Sequence, residues 1–161
     1  MAIPVYLFLY DEEGELIKGD VDITNREGSI EVLELMHSIE LPVKNFSGKI
    51  MGKRLHSSYS FEKEVDSSSP YLYQSLTNGR KIRKAEFKFY KINNTGLEEH
   101  YFTTSLEGVI VSGITPLMMD IKDTSWEKHN HHEYIDLRYN KITWDFIKGN
   151  IIHSDSWLER T

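Results

Sequence analysis

DSSSPYLYQSLTNG, residues 66–79, is the one clearly punctuated helix in this sequence. A serine at its N-cap can accept a hydrogen bond from an N–H of the first turn, and Pro70 suits the first helical position. Gly79 can take the left-handed conformation that closes a helix, and Leu72 and Leu76 share one face because they lie four residues apart. A helix this short is marginal alone, so we expect that face to dock on neighbouring strands.

Most of the remaining chain is predicted to be β-strand, because apolar residues alternate or run together in short stretches between turns. The predicted strands are, in chain order, Ile3–Tyr10, Glu15–Thr24, Ser29–Leu41, Tyr59–Val65, Ala85–Tyr90, Glu98–Leu106, Gly108–Thr115, Glu133–Tyr139, Ile142–Phe146 and, as a short strand or tail, Gly149–Trp157. Ser29–Leu41 also fits a helical period in part, and we assign it as strand because no helix stop precedes Pro42. Asn93–Gly96 predicts a hairpin turn, and a shift of alternation predicts a bulge or turn near Asn140. These strands with one helix predict a barrel or a sandwich.

The composition is that of one soluble globular domain spanning residues 1–161. The absence of cysteine excludes a disulfide framework and a thiolate metal site. The N-terminus has no positive n-region and no small-residue cleavage site, and its apolar run is too short to span a membrane. We therefore expect synthesis in the cytoplasm, no membrane insertion, and export only by a route that reads no signal peptide. A net charge of −6 argues against nucleic acid as the main partner.

Charge is distributed unevenly along the chain. The stretch Asp11–Glu40 carries a net charge of −8, whereas Leu41–Phe61 has four bases and no acid, and Arg80–Lys91 carries a net +5. Such blocks are either solvated faces or complementary surfaces that meet a second copy of the chain and fix its register.

The segment Pro42–Ser58 shows no clean period and is predicted to be a long extended loop, a length that is usually functional or disordered. Its scattered large apolar residues argue against disorder. Two interpretations remain open: an arm that seats on another subunit, or a loop packed on its own domain. The candidate interface residues are Leu41, Pro42, Lys44, Phe46, Lys49, Met51, Lys53, Arg54 and Leu55.

Two short motifs have the residue types of a catalytic site. On a strand His129 and His131 would share a face, and imidazoles bind zinc, but a third ligand and a supporting second shell are not visible. The run His153-Ser154-Asp155-Ser156 contains a nucleophile and a base, but neighbours on an extended segment point to alternating sides and cannot form a relay. We assign no catalytic, cofactor-binding or metal-binding residue and expect no cofactor.

Two other functions remain alternatives on these residues. One is a small β-barrel metal-dependent hydrolase that uses His129, His131 and a third ligand. The other is a monomeric β-sandwich that binds sugar on an exposed Trp126, Trp144 or Trp157, although a tryptophan at strand spacing is more often part of a core.

Several stretches together are more specific than any single motif. They are Ala2–Leu7, Ile17–Gly19, Arg26–Val32, Lys63–Leu72, Ala85–Tyr90, Glu127–His131, Lys141–Trp144 and Gly149–Trp157. Through them the chain resembles, nearly end to end, the haemolysin co-regulated protein (Hcp) family, the tube proteins of bacterial type VI secretion.

The resemblance implies a small β-barrel built from two antiparallel sheets, with one flanking α-helix and a long extended loop. It implies a structural protein rather than an enzyme, assembled as homohexameric rings that stack into a tube with a central pore. A contractile sheath expels such a tube, a spike protein sits at its tip, baseplate components belong to the same machine, and the pore can carry or chaperone small effector proteins. By position, Leu41–Ser58 resembles the family's extended arm, which reaches an adjacent ring or subunit.

Overall fold

The structure, a computed structural model, describes residues 3–127 and 130–157. Its strands are, in chain order, β1 Val5–Tyr10, β2 Leu16–Ile17, β3 Ile30–Val32, β4 Glu34–Met36, β5 Ile39–Glu40, β6 Leu55–His56, β7 Tyr59–Glu64, β8 Ile82–Ile92, β9 Glu98–Leu117, β10 His132–Arg138, β11 Lys141–Phe146 and β12 Ile151–Ser156. Helix α1, Ser69–Asn78, lies between β7 and β8, and Thr124–Trp126 forms one 3-10 turn. Within the described ranges, no helix is long and apolar enough to cross a membrane.

The strands form one antiparallel ladder and a separate two-stranded sheet. Neighbours in the ladder are β2, β1, β8, β9, β10, β7 and β4, while β3 also pairs with β1 and β11 lies between β9 and β12. The small sheet consists of β5 and β6. The prediction of a mainly β fold with one flanking helix is therefore confirmed.

One short segment connects the two ends of the ladder. Strand β3 pairs with β1, and β4, which follows it after Leu33, pairs with β7. The N–H of Leu33 donates to the carbonyl of Glu62 at 2.8 Å. Because β3 and β4 succeed one another along the chain instead of pairing side by side, the barrel is not closed by a continuous ladder.

Strand β9 belongs to both layers of the fold. Its residues Phe102–Glu107 pair with β11, and its residues Ile110–Leu117 pair with β10. The prediction of two strands, Glu98–Leu106 and Gly108–Thr115, is therefore wrong in one respect: the chain bends at this point without interrupting the strand.

The bend is made at Gly108. This residue has a φ of +63°, and a Cβ placed on it would lie 2.5 Å from the side-chain nitrogen of Asn140. Glycine allows both the left-handed backbone and the close approach. Asn140 lies between β10 and β11, and its N–H donates to the carbonyl of Glu107 at 2.9 Å. The predicted turn near Asn140 therefore packs directly against the bend at Gly108, and the two together form a corner of the fold.

Helix α1 docks as predicted, but its first turn is capped differently. Leu72 is fully buried, Leu76 packs against the same core, and Gly79 closes the helix with a φ of +69°. Ser68 occupies the N-cap without a side-chain cap bond. Its hydroxyl and its N–H both donate instead to the carboxylate of Asp66.

Beneath this helix start lies a buried cluster of charges. Lys63 Nζ is 2.7 Å from Glu133 Oε1 and 2.9 Å from Asp66 Oδ1. The ammonium also donates to the hydroxyl of Ser69 at 3.0 Å, and that hydroxyl donates to Glu133 at 2.7 Å. Lys63 and Glu133 are fully buried. The cluster ties α1 to strands β7 and β10.

Other predicted strands have different lengths in the structure. Of Glu15–Thr24 only Leu16–Ile17 is strand. Beyond it Gly19 passes close to a later segment, where a Cβ would lie 2.5 Å from the carbonyl oxygen of Ser29. Ser29–Leu41 is divided into the three short strands β3, β4 and β5. The tail Gly149–Trp157 contains a true strand, β12, which pairs with β11.

Candidate functional site: a projecting hairpin and its anchor

The predicted loop Leu41–Ser58 is largely a β-hairpin; we call residues 39–56 the arm hairpin. At its base β5 pairs with β6, and further out Val43 bridges to Ile50. The N–H of Met51 donates to the carbonyl of Pro42 at 2.7 Å, and the turn closes at Gly48, whose φ is +66°. The backbone of the arm hairpin therefore satisfies much of its own hydrogen bonding.

Most side chains of the arm hairpin are exposed to solvent. Phe46 at the tip is fully exposed, and the exposed large apolar residues of this segment are Ile39, Leu41, Val43, Phe46, Ile50, Met51 and Leu55. Exposed apolar residues scattered singly are ordinary, but a contiguous set on a projecting segment is typical of an interaction site. The interpretation of a loop packed on its own domain does not describe this segment beyond its base.

The arm hairpin is also basic. Lys44, Lys49 and Lys53 are exposed, and no carboxylate of the described residues lies within salt-bridge distance of them. Of the nine candidate interface residues, Pro42 and Arg54 are half-buried and the other seven are exposed.

Arg54 turns back from the arm hairpin to the C-terminal strand. Its guanidinium contacts the carboxylate of Asp155 on β12 through two nitrogens, with Nη2 donating to Oδ1 at 2.7 Å. Nη2 also donates to the carbonyl of Ser156 at 3.0 Å. A two-pronged contact of this kind fixes the direction of both side chains. Arg54, one of the four bases of the arm predicted to meet another subunit, is therefore engaged within its own chain.

Behind Arg54, four more groups complete what we call the anchor cluster: His37, Arg54, His56, Tyr139 and Asp155. Nε2 of His56 lies 2.8 Å from Asp155 Oδ2, and Nδ1 lies within hydrogen-bond distance of the Tyr139 hydroxyl. The same hydroxyl is 2.8 Å from Nε2 of His37.

The environment of the anchor cluster shifts several of its pKa values. Hydrogen bonding from Arg54 holds the pKa of Asp155 below its usual range. Burial, followed by the proximity of His56, lowers the pKa of His37. Burial, followed by the charge of Asp155, raises the pKa of Tyr139. The tyrosine is therefore a neutral hydroxyl throughout the physiological range, able to donate one hydrogen bond and to accept others.

An acidic groove lies elsewhere on the surface. Its carboxylates are Asp20, Asp22, Glu31, Glu64 and Asp66. Three of them come from the stretch Asp11–Glu40, whose net charge is −8. The protein thus presents a negative groove and a positive projecting hairpin at separate places.

The histidines considered for zinc do not form a site in the part of the chain that the structure describes. His129 lies outside the described residues, and His131 is exposed. His132 is buried, with Nδ1 3.5 Å from Glu62 Oε1. Among residues 3–127 and 130–157 no three His, Cys, Asp or Glu side chains are arranged to hold a metal ion.

The run His153–Ser156 points to alternating sides, as expected of a strand. His153 stacks on Trp144 with ring centroids 6.0 Å apart, and Ser154 is hydrogen-bonded to Thr143 at 2.8 Å. Asp155 faces the anchor cluster instead. The run therefore forms no catalytic relay.

Each of the three tryptophans considered for sugar binding lies in a different environment. Trp144 packs against the core, and Trp126 lies in the 3-10 turn. The ring centroid of Trp157 is 4.8 Å from that of His56.

The sequence contained a signal for one of the two clusters that it did not predict. Lys63 falls on the inward side of the alternation Tyr59, Phe61, and Glu133 precedes Ile135 and Leu137 in the same way. Two opposite charges on the apolar faces of two strands indicate a buried pair. The anchor cluster carried no comparable signal, because its members are drawn from separate parts of the chain.

Comparisons with a family model, with a curated protein and with solved structures all point to the same protein family. Residues 6–146 match the family model described as type VI secretion system effector, Hcp. The chain is 31% identical to the major exported protein of Pseudomonas aeruginosa PAO1, over 98% of this chain and 96% of that protein.

Solved structures give the same result. A variant of the Hcp1 protein from E. coli EAEC 042 is 51% identical, covers 97% of this chain and 99% of its own, and superposes with a TM-score of 0.87. The secreted protein Hcp3 from Pseudomonas aeruginosa is 26% identical, with coverage of 98% and 100% and a TM-score of 0.78.

Proposed function

The chain belongs to the Hcp family of the type VI secretion system, and from this we propose that it is a tube subunit that assembles with its own copies into rings of six. The rings stack into a tube that is expelled from the cell. The pore of the tube receives small effector proteins, which it carries or protects.

The observation that carries this proposal is the arm hairpin. It projects a fully exposed Phe46 and further apolar side chains that the domain itself does not cover. Burial of a phenylalanine contributes about 1.5–3 kcal/mol, so a surface that covers this tip gains affinity from it. Another copy of the chain, in the same ring or the next, is the partner that we assign to it.

Symmetry explains why one chain needs two different surfaces. A closed ring uses a heterologous interface, in which one patch meets a different patch on the next copy, and open stacking uses a further pair of patches. The basic arm hairpin and the acidic groove provide surfaces of opposite sign, and complementary potentials fix register and suppress wrong pairings. Both features support assembly from copies of a single chain.

The remaining parts of the proposal rest on family membership. The tube subunit is made in the cytoplasm, is exported without a signal peptide, and meets the spike, sheath and baseplate components of the same machine. Its role is structural, without catalysis or a cofactor, and it neither binds nucleic acid nor inserts into a membrane.

The first test is the mass of the purified protein by light scattering after size exclusion, with negative-stain images of the same peak. We expect a sixfold mass and ring-shaped particles. A monomer at high concentration, with no rings in the images, would overturn the proposal that the chain forms rings by itself.

A shortened arm hairpin tests where the affinity resides. Replacing residues 43–50 with Asn-Gly joins Pro42 to Met51, which already pair across the hairpin, by a two-residue turn. This variant keeps Arg54 and His56, whereas replacement of the whole loop Leu41–Ser58 would also remove the anchor cluster. We expect a folded protein with a lower assembled mass, and normal rings and tubes would show that the tip is not an interface.

A further inference from the structure

The anchor cluster holds the arm hairpin to the rest of its chain by a continuous series of titratable groups. The series runs from Asp155 through His56 and the Tyr139 hydroxyl to His37, with one hydrogen-bond contact at each step. It joins His37, which precedes β5, and His56 of β6 to β12 and to the residue that follows β10.

With both histidines neutral, the series is satisfied in one direction. Nε2–H of His56 donates to the Asp155 carboxylate, and Nδ1 of His56 accepts from the Tyr139 hydroxyl. The hydroxyl oxygen then accepts from Nε2–H of His37. Each group uses a donor or acceptor that its ordinary chemistry provides.

A proton on His37 finds no charged partner in the cluster. In the arrangement above, Nε2–H of His37 already donates to the Tyr139 hydroxyl, so the proton enters at Nδ1 and the ring becomes a cation. The carboxylate of the cluster, Asp155, is engaged by Arg54 and His56. A half-buried positive charge that this carboxylate does not compensate favours release of His37 to solvent.

Release of His37 would act directly on the hairpin base. The next residue, Ser38, accepts from the N–H of Ser57 at 2.9 Å and donates its own N–H to the Ser57 hydroxyl at 2.9 Å. These bonds adjoin the pairing of Ile39 with His56. His37 is half-exposed, so it can swing toward solvent without opening the core.

We propose that the anchor cluster is a proton-responsive latch, which holds the arm hairpin in place at neutral pH and loosens it in mild acid when His37 takes up a proton. The inference deepens the proposed function and rests on it in one respect, namely that the arm hairpin is the element used in assembly.

The other charged and titratable groups around the latch are few. From β10, Arg138 Nη1 donates to the carbonyl of His56 at 3.2 Å. From β7, the ring of Tyr59 packs 5.0 Å from that of His37, and burial raises its pKa. Arg54, the residue before β6, holds the far end at Asp155. The neutral tyrosines and the two arginines offer no charge that would favour a proton on His37.

The direction of the pH effect follows from linkage. Because burial lowers the pKa of His37 in the latched state, the released state binds the proton more tightly. The latch is therefore fully stabilised above the ordinary histidine pKa of about 6.5, and its stability is lost as the pH falls through the lowered value.

Hydrogen exchange followed by mass spectrometry tests the latch on peptides that cover residues 39–56. Wild type is compared at about pH 7.5 and about pH 5.5, on either side of the histidine range, with rates corrected for the intrinsic effect of pH. We expect the corrected exchange to rise in acid, by about tenfold for each unit by which the fold lowers the His37 pKa. An unchanged corrected rate in wild type would overturn the proposal.

Two variants and a matched control identify the group responsible. His37→Gln keeps an amide within reach of Tyr139 but cannot titrate, so the acid response should disappear, and Tyr139→Phe should exchange fast at both pH values. His100→Gln removes another half-buried histidine with a lowered pKa, far along the chain on β9, and should behave as wild type. An acid response that persists in His37→Gln would also overturn the latch. Because His37 is half-exposed, we expect this variant to fold, and it decides the test even if Tyr139→Phe does not fold.

Light scattering on the same samples separates the latch from ring formation. A monomer whose hairpin opens in acid would keep the latch and contradict the rings. A hexamer whose hairpin exchanges equally at both pH values would keep the rings and contradict the latch.

Discussion

Lys63 and Glu133 face each other across the β7–β10 pair with their charged atoms 2.7 Å apart and with no solvent access to either side chain. Glu133 Oε2 has no hydrogen-bond partner among the described residues. The carboxylate therefore depends on Lys63 and Ser69 for its compensation. If Lys63 is removed, the Glu133 carboxylate remains as an unpaired charge in an apolar interior, and this is costly.

Removal of one partner should therefore be more harmful than removal of both. We expect Lys63→Met to lower the free energy of unfolding by about 3–5 kcal/mol, and the double variant Lys63→Met, Glu133→Leu to be more stable than the single one. Urea unfolding followed by circular dichroism measures both. Lys84→Met removes the Lys84–Glu86 pair, which is partly accessible to solvent, and should change the value by less than about 1 kcal/mol. Strictly additive single effects would contradict this account.

The corner at Gly108 should be sensitive to a single methyl group. Gly108→Ala and Gly96→Ala both place alanine at a positive φ, which costs about 1–2 kcal/mol, but open space surrounds Gly96 whereas Asn140 blocks the Cβ at Gly108. We expect Gly108→Ala to be the more destabilised of the two in urea unfolding. Adding Asn140→Ala should recover part of the difference, and equal effects at the two glycines would show that the close approach is unimportant.

The tip of the arm hairpin should contribute to assembly and little to folding. We expect Phe46→Ser to weaken association at least about tenfold, since the burial of a phenylalanine exceeds the 1.4 kcal/mol that a tenfold change requires. Ile121→Ser, another strongly exposed apolar residue outside the hairpin, is the matched control and should assemble as wild type. Light scattering over a dilution series reads association, and urea unfolding should be unchanged in both. Equal losses in the two variants would indicate nonspecific adhesion.

The Arg54–Asp155 contact should be visible in the titration of the carboxyl. We expect Arg54→Gln to raise the pKa of Asp155, measured by NMR, because the guanidinium is the main cause of its lowered value. A lowered carboxyl pKa stabilises the folded state above about pH 4 and ceases to do so as the pH falls through the folded value. Arg54→Gln should therefore be less stable than wild type at neutral pH, and the difference should vanish in strong acid. Arg138→Gln, whose arginine contacts His56 and not Asp155, should leave the carboxyl unchanged.

Stacking of rings should weaken with salt if surfaces of opposite sign hold it. Raising NaCl from about 0.05 M to about 0.5 M shortens the screening length several-fold. Sedimentation velocity at the two concentrations should show shorter stacks at the higher one. Stacks that lengthen with salt would point to an apolar contact instead.

The elements that local chemistry determines were predictable. Pro70 and Gly79 bracket the helix, and the alternation of Ala85 and Phe87 marks the inward face of β8. The hairpin turn predicted at Asn93–Gly96 is present, with the Asn93 side chain accepting from the N–H of Thr95 at 2.9 Å. In each case the reason for the structure lies within a few residues of the structure itself.

The features that escaped prediction depend on residues far apart in the chain. The pairing of β5 with β6 joins strands of two residues each, too short for a pattern of alternation, and Pro42 and Gly52 interrupt the sequence between them. The contacts of Tyr139 with His37 and of His56 with Asp155 each span about a hundred positions. No local rule assigns a partner at such a distance, and the tertiary fold decides it.

The continuity of β9 has a mechanical consequence. Two sheets that touch only through side chains can be peeled apart layer by layer, but here one unbroken strand of 20 residues passes from the β11 side to the β10 side. Separation of the layers must therefore shear the hydrogen bonds along that strand together, so a force applied along the subunit is shared over many bonds at once.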